Sequence, residues 1–120
     1  MSLHRLFDLN ETLKINEAYR TVLATTDRSQ GVIMTLQPGQ EIGMEIHDGD
    51  QHIIVWQGRG MAILDDIKYE IYDGTYFIIP EGTQHNIINT SNKLMRLLTV
   101  YSPPEHKPNT YQPRKPKHED

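Results

Sequence analysis

Apolar and polar residues alternate in short runs from residue 19 to residue 101, and the runs are separated by Gly, Pro or Asp. Alternation with period two is the signature of a strand with one buried face. The pattern predicts strands over 19–26, 31–37, 41–47, 51–57, 60–64, 67–72, 75–79, 84–89 and 94–101. Turn residues stand between them: Pro38-Gly39, Asp48-Gly49-Asp50, Asp65-Asp66, Asp73-Gly74 and Pro80-Glu81-Gly82. Residues 1–18 are polar and weakly patterned, with Asn10-Glu11 or Thr12 able to cap at most a short turn. Many short strands, close punctuation and no amphipathic helix of useful length predict an all-β protein, an antiparallel sandwich or closed barrel.

From Ser102 the text changes to SPPEHKPNTYQPRKPKHED. Proline cannot donate to a ladder and fixes its own φ, so this segment is expected to be an extended arm and not a strand. Its basic end, Arg114, Lys115 and Lys117, is expected to be solvated and mobile. The chain thus divides into an N-terminal segment 1–18, a barrel 19–101 and a Pro-rich basic C-terminal arm 102–120.

Composition narrows the function. A chain of 120 residues with 37% hydrophobic residues is long enough for one domain with a real core. The net charge is −4, and no basic stripe precedes the tail, which argues against nucleic acid or an anionic membrane as partner. The absence of cysteine removes disulfides, thiolate metal sites and thiol catalysis. No apolar run approaches membrane-span length and nothing reads as a signal peptide, so a cytoplasmic protein is expected.

Candidate chemistry is concentrated in residues 39–58, GQEIGMEIHDGDQHIIVWQG. Strand alternation puts Glu41, Gly43, Glu45 and His47 on one face and Ile42, Met44 and Ile46 on the other. The Asp48-Gly49-Asp50 turn returns Gln51 beside Glu45 and His47, giving two good metal ligands and a third, weaker one. His52 should face away from Gln51, although a bulge over 48–50 would exchange them. If the ligand face points inward, the row Ile42, Met44 and Ile46 points outward. A second copy of the chain is its expected cover, in a two-fold homodimer. A second constellation is Gly74-x5-Pro80-x-Gly82-x2-His85-x3-Asn89. Two turns there bracket a short strand and set His85 at the start of the next one. On its own, a histidine so placed is more often a core or surface residue than a ligand.

Together the two stretches resemble the paired motifs of the cupin family. The second motif is matched at every position. In the first, Gly39, His47 and Gly58 match, Glu45 stands where a His is expected, and Gln51 stands where a Glu is expected. The region 19–110 is also similar to small single-domain cupins of the mannose-6-phosphate isomerase-like subset. The resemblance implies a double-stranded β-helix, a small jelly-roll barrel. It also implies one divalent transition metal per chain (Fe, Mn, Ni, Co or Zn) held by Glu45, His47, Gln51 and His85. The activity it implies is sugar-phosphate isomerase-like, with Glu45, or Glu41, moving a proton. Alternatives are a metal-dependent dioxygenase, a small-molecule-binding module, or a structural cupin dimer whose polar interior has lost its metal. His106, in the arm, is either solvated or part of a cover over the barrel mouth. Met34, Met44, Met61 and Met95 are expected as core or interface filler.

Overall fold

The computed structural model describes residues 4–117. The β-branched and aromatic runs form nine strands: β1 Arg20–Thr25, β2 Gln30–Leu36, β3 Asp50–Gln57, β4 Arg59–Leu64, β5 Ile67–Tyr72, β6 Tyr76–Ile79, β7 His85–Ile88, β8 Met95–Ser102 and β9 Tyr111–Gln112. They build a six-stranded sheet in the order β6-β3-β8-β2-β1-β9 and a three-stranded sheet in the order β5-β4-β7. All pairings are antiparallel. This is the predicted all-β jelly roll, a double-stranded β-helix.

Alternation decides which side chains meet between the sheets. On β8, Met95, Leu97, Thr99 and Tyr101 are buried while the residues between them are less so. The register sets Gln51, Ile53 and Val55 of β3 opposite Tyr101, Thr99 and Leu97. On the other flank of β8, Gln30, Val32, Met34 and Leu36 of β2 oppose Tyr101, Thr99, Leu97 and Met95. Apolar layers fill the lower part of this interior. Above them lies a polar layer of Gln30, Gln51, Thr99 and Tyr101, and it is this layer that borders the candidate site.

Among the described residues one helix, α1 Leu9–Ile15, precedes the barrel. Its cap is Asp8, whose side chain accepts from the Glu11 amide at 3.2 Å, and neither Asn10 nor Thr12 takes that role. Seven residues do not hold a helix alone. Leu13 is the helical residue that is buried, and Trp56 Nε1 donates to Asn10 Oδ1 at 3.0 Å, tying α1 to the outer face of β3.

Two expectations are corrected. Residues 41–47 do not form a continuous strand; only the isolated bridges Glu41↔Ile88 and Glu45↔His85 form. The cause is Gly43, whose φ of +109° is open to glycine and strained for other residues. It reverses the alternation, so Ile42 enters the core at 5% exposure and Glu45 also turns inward. The outward row Ile42, Met44, Ile46 is therefore reduced to Met44 and Ile46, and the homodimer loses the three-residue face on which it was expected. Exposed apolar side chains also stand at Ile54, Tyr76 and Ile78 on the six-stranded sheet.

The arm, too, is more structured than its prolines imply. Between Pro108 and Pro113 it makes β9, which pairs with the edge of β1 through Arg20↔Gln112 and Thr21↔Tyr111. Lys115 Nζ donates to the Glu41 carbonyl at 2.7 Å. That bond runs against the expectation of a solvated, mobile basic end at Lys115, while residues 118–120 lie outside the described part of the chain. Among the described residues no helix is long and apolar enough to cross a membrane.

Candidate metal centre

Glu45 and His85 are brought together by backbone. The Glu45 amide donates to the His85 carbonyl at 2.8 Å, and the His85 amide returns a bond to the Glu45 carbonyl at 2.9 Å. Directly opposed residues of an antiparallel pair project to the same face. His47 follows, with its carbonyl accepting from the Gly82 amide at 3.0 Å. Asp50 fixes the intervening turn by accepting from the Glu81 amide at 3.0 Å. The result is a cluster in which one donor atom each from Glu45, His47 and His85 lies within 4.8 Å of the others.

The hydrogen bonds around the cluster point its lone pairs inward. His85 Nδ1 lies 2.9 Å from the Thr83 carbonyl, which can only accept, so the proton sits on Nδ1 and Nε2 is bare. That Nε2 is buried and has no hydrogen-bond partner. His47 Nε2 is buried without a hydrogen-bond partner as well; Glu45 Oε1 is 3.5 Å away, an ion-pair distance too long to satisfy it. The two imidazole centroids are 5.0 Å apart.

Gln51 reaches the same interior from β3. Its Nε2 donates to Thr99 Oγ1 at 2.9 Å, leaving Oε1 buried and unpartnered. His52 faces outward, where its ring stacks on Tyr76 and Nδ1 lies 2.6 Å from the Tyr76 hydroxyl. The register expected from spacing thus holds, with no exchange of the two side chains. Buried polar atoms are rarely left unpaired, because each lost bond carries the full desolvation cost. Two imidazole nitrogens, an amide oxygen and a carboxylate, three of them orphaned, fit a first-row divalent cation.

Charge works in the same direction. The Glu45 carboxylate, and after it Glu105, holds the His47 imidazole above its ordinary pKa against the opposing effect of burial. Burial pushes His85 down, and the neighbouring His47 adds to this. The same carboxylate that favours a proton on His47 would favour a cation in its place.

Glu105 was not singled out in the sequence. Its Oε2 lies 3.3 Å from His47 Nδ1, on the side of the ring away from Glu45. His106, the next residue, packs edge-on to Tyr101 at 5.3 Å, and Tyr101 packs edge-on to His47 at 5.7 Å. His106 Nε2 is buried and unpartnered, and burial, reinforced by Arg20, drives its pKa down to about 4. The available signal was the Pro-Pro-Glu-His run, which places a carboxylate beside a histidine on a stiff segment.

A mostly apolar cavity of about 210 Å³ is lined by Ala62, Leu64, Tyr69, Glu70, Ile71, Thr75 and Phe77, none of them a clustered residue. Leu64 is the register partner of His85, and Phe77 that of Ile53, two residues along β3 from Gln51. A larger surface hollow, about 620 Å³ around Gly58, Tyr72 and Leu94, contains none of the clustered residues.

Comparison with known proteins places these features. The cupin domain profile matches residues 32–101. The uncharacterized protein L612 of Acanthamoeba polyphaga mimivirus is 42% identical over 111 residues, covering 88% of this chain and 69% of its own length. The uncharacterized protein YrkC of Bacillus subtilis is 37% identical over 106 residues, covering 82% of this chain. This chain spans 57% of the length of YrkC. The crystal structure of BH2720 from Bacillus halodurans superimposes with a TM-score of 0.90 at 34% identity, covering 92% of this chain and 89% of that one. A profile match over more than half the chain, relatives at this identity and the barrel itself lead to one conclusion: the chain belongs to the cupin family.

Proposed function

We propose that this chain is a divalent-metal cupin whose ligand is a small molecule with an oxygen-bearing chelating end and an apolar body. The observation that carries this reading is the cluster of Glu45, His47 and His85, in which His47 Nε2 and His85 Nε2 are buried and unpartnered, together with the buried, unpartnered Oε1 of Gln51. Glu45, His47 and His85 would hold the ion as a two-His-one-carboxylate face, with Gln51 as a weaker fourth donor. Such an ion, when bound, polarises a coordinated oxygen and makes bound water more acidic. Within the site, Glu45 is the carboxylate placed to accept a proton from a bound ligand. Glu41, the other carboxylate considered, is engaged: its Oε1 accepts from Asn86 Nδ2 at 3.0 Å.

The apolar body is argued from the cavity lined in part by Leu64, the register partner of His85. Its walls are aliphatic and aromatic, and its lining includes no Lys or Arg to receive a phosphate. That favours an apolar substrate, as in the dioxygenase alternative, over a sugar phosphate for an isomerase. The two branches are separable. Metal-loaded protein is titrated by calorimetry with an aryl α-keto acid and with mannose 6-phosphate. The keto acid is expected to bind, and Ala62→Trp, which fills the cavity, is expected to abolish that binding. Tight binding of the sugar phosphate, undisturbed by Ala62→Trp, would reverse the assignment in favour of the isomerase.

A further inference from the structure

A neutral imidazole has one N–H, and whichever nitrogen carries it cannot bind a metal. His47 stands between two carboxylates, Glu45 on the Nε2 side at 3.5 Å and Glu105 on the Nδ1 side at 3.3 Å. With Glu45 alone, the proton would be drawn to Nε2, where it blocks the site. We propose that Glu105 is the positioning residue of His47: its carboxylate draws the proton to Nδ1 and leaves Nε2 bare toward Glu45 and His85. The inference rests on the metal reading for its purpose, though not for its geometry.

Glu105 is not a surface carboxylate that happens to lie near a ring. The arm that carries it is held on both sides. Gln30 reads the backbone of the next residue completely: its Nε2 donates to the His106 carbonyl at 2.7 Å, and its Oε1 accepts from the His106 amide at 3.0 Å. Gln30 is itself buried, opposite Tyr101 in the β2–β8 ladder. At the other end, Ser102 Oγ donates to the Arg28 carbonyl at 3.0 Å. The arm then crosses the turn between His47 and Gln51 so closely that a Cβ on Gly49 would lie 2.5 Å from the Ser102 carbonyl oxygen and from Pro103 Cδ. Pro103 and Pro104 restrict the backbone just before Glu105. The fold therefore uses a buried β2 side chain, Gln30, to hold the arm that sets a carboxylate on His47.

The two imidazoles are also treated differently. His85 gives its Nδ1 proton to a neutral carbonyl, Thr83, whereas His47 gives its own to an anion. A carboxylate partner makes the far nitrogen the stronger donor, and loss of such a partner typically lowers metal affinity about 10–100-fold. His47 is thus the stronger of the two imidazole donors, through a residue that supplies no donor atom to the cluster itself.

The test uses the full chain labelled with ¹⁵N in histidine. The ring nitrogens of His47 are read in metal-free protein at a pH where the ring is neutral, and Mn(II) affinity is measured in parallel by electron paramagnetic resonance. Glu105→Ala is expected to move the neutral ring toward the Nε2–H tautomer and to weaken Mn(II) binding about 10–100-fold. Glu105→Gln keeps an acceptor, so it should retain the wild-type tautomer with a smaller loss of affinity. Gln30→Ala, remote from the ring, should shift the tautomer in the same direction as Glu105→Ala. A His47 tautomer identical in wild type and Glu105→Ala overturns the proposal, whatever the affinities do. If the tautomer moves as expected but wild type takes up no Mn(II), the positioning role stands and the metal reading falls.

Discussion

Glu45 and His85 oppose each other across a bridge of two backbone hydrogen bonds, 2.8 and 2.9 Å, although Gly43 has already broken the strand that carries Glu45. The break is what makes the site. With unbroken alternation, Ile42 and Glu45 would point to opposite sides. The positive φ at Gly43 lets one fill the core and the other face the histidines.

Gly43→Ala isolates that effect. A Cβ there would meet only Lys115 Nζ at 3.9 Å, an ordinary contact, so the cost is backbone strain and not a clash. Urea unfolding should show a loss of about 1–3 kcal/mol. Mn(II) affinity should fall with it as Glu45 is displaced. A neutral effect on both would mean that the reversal at Gly43 does not set the direction of Glu45.

The four donor positions should respond unequally. His47→Ala and His85→Ala are each expected to abolish metal binding, since each removes one of only two imidazoles in the cluster. Glu45→Gln should weaken it strongly by removing the anionic donor, and Gln51→Ala should matter least. Gln51→Glu is expected to tighten metal binding while lowering the Tm of the metal-free protein, because it puts a second carboxylate at a position only 3% exposed. A rise in Tm without metal would contradict that account of the interior.

The pH dependence has two opposed parts. The folded pKa of His47 is raised above 6.5, so in metal-free protein its contribution is present in full below 6.5 and is lost as pH rises through the raised value. Metal uptake must displace that proton, so affinity should begin to fall at a higher pH than for an ordinary imidazole site. His85 and His106 are lowered, so each costs stability as pH falls below 6.5, and for His106 the loss is complete only below about 4. His106→Gln should therefore flatten Tm against pH between 6.5 and 4. A profile parallel to wild type would show that His106 titrates normally.

What was legible in the chain followed from local rules. Period-two alternation placed β1 to β8, though it also extended a strand over 41–47, and it separated Gln51 from His52, because one residue of register flips a side chain to the other face. The second motif delivered His85 because its turns lie close to it in sequence. What was not legible depended on tertiary contacts. A lone glycine in an apolar run signals a bulge or close approach but not its direction, so Ile42 was assigned outward and a dimer face built on it. β9 lies among prolines that forbid a central strand yet permit a short edge strand. Glu105 reaches His47 only because Gln30 holds the arm's backbone across 76 residues of sequence separation. Asp8 capping α1 was within reach of the sequence, three residues ahead of Glu11, and was passed over for Asn10 and Thr12.

The central claim is that Glu45, His47 and His85, with Gln51, hold a divalent ion. Elemental analysis of the untagged protein, purified without chelators, tests it most directly. The account predicts close to one first-row divalent ion per chain in wild type and loss of that ion in His47→Ala and His85→Ala, with both variants still folded by circular dichroism. A folded wild-type protein that carries no Mn, Fe, Co, Ni or Zn, and takes up none of them when titrated at pH 8, would contradict it.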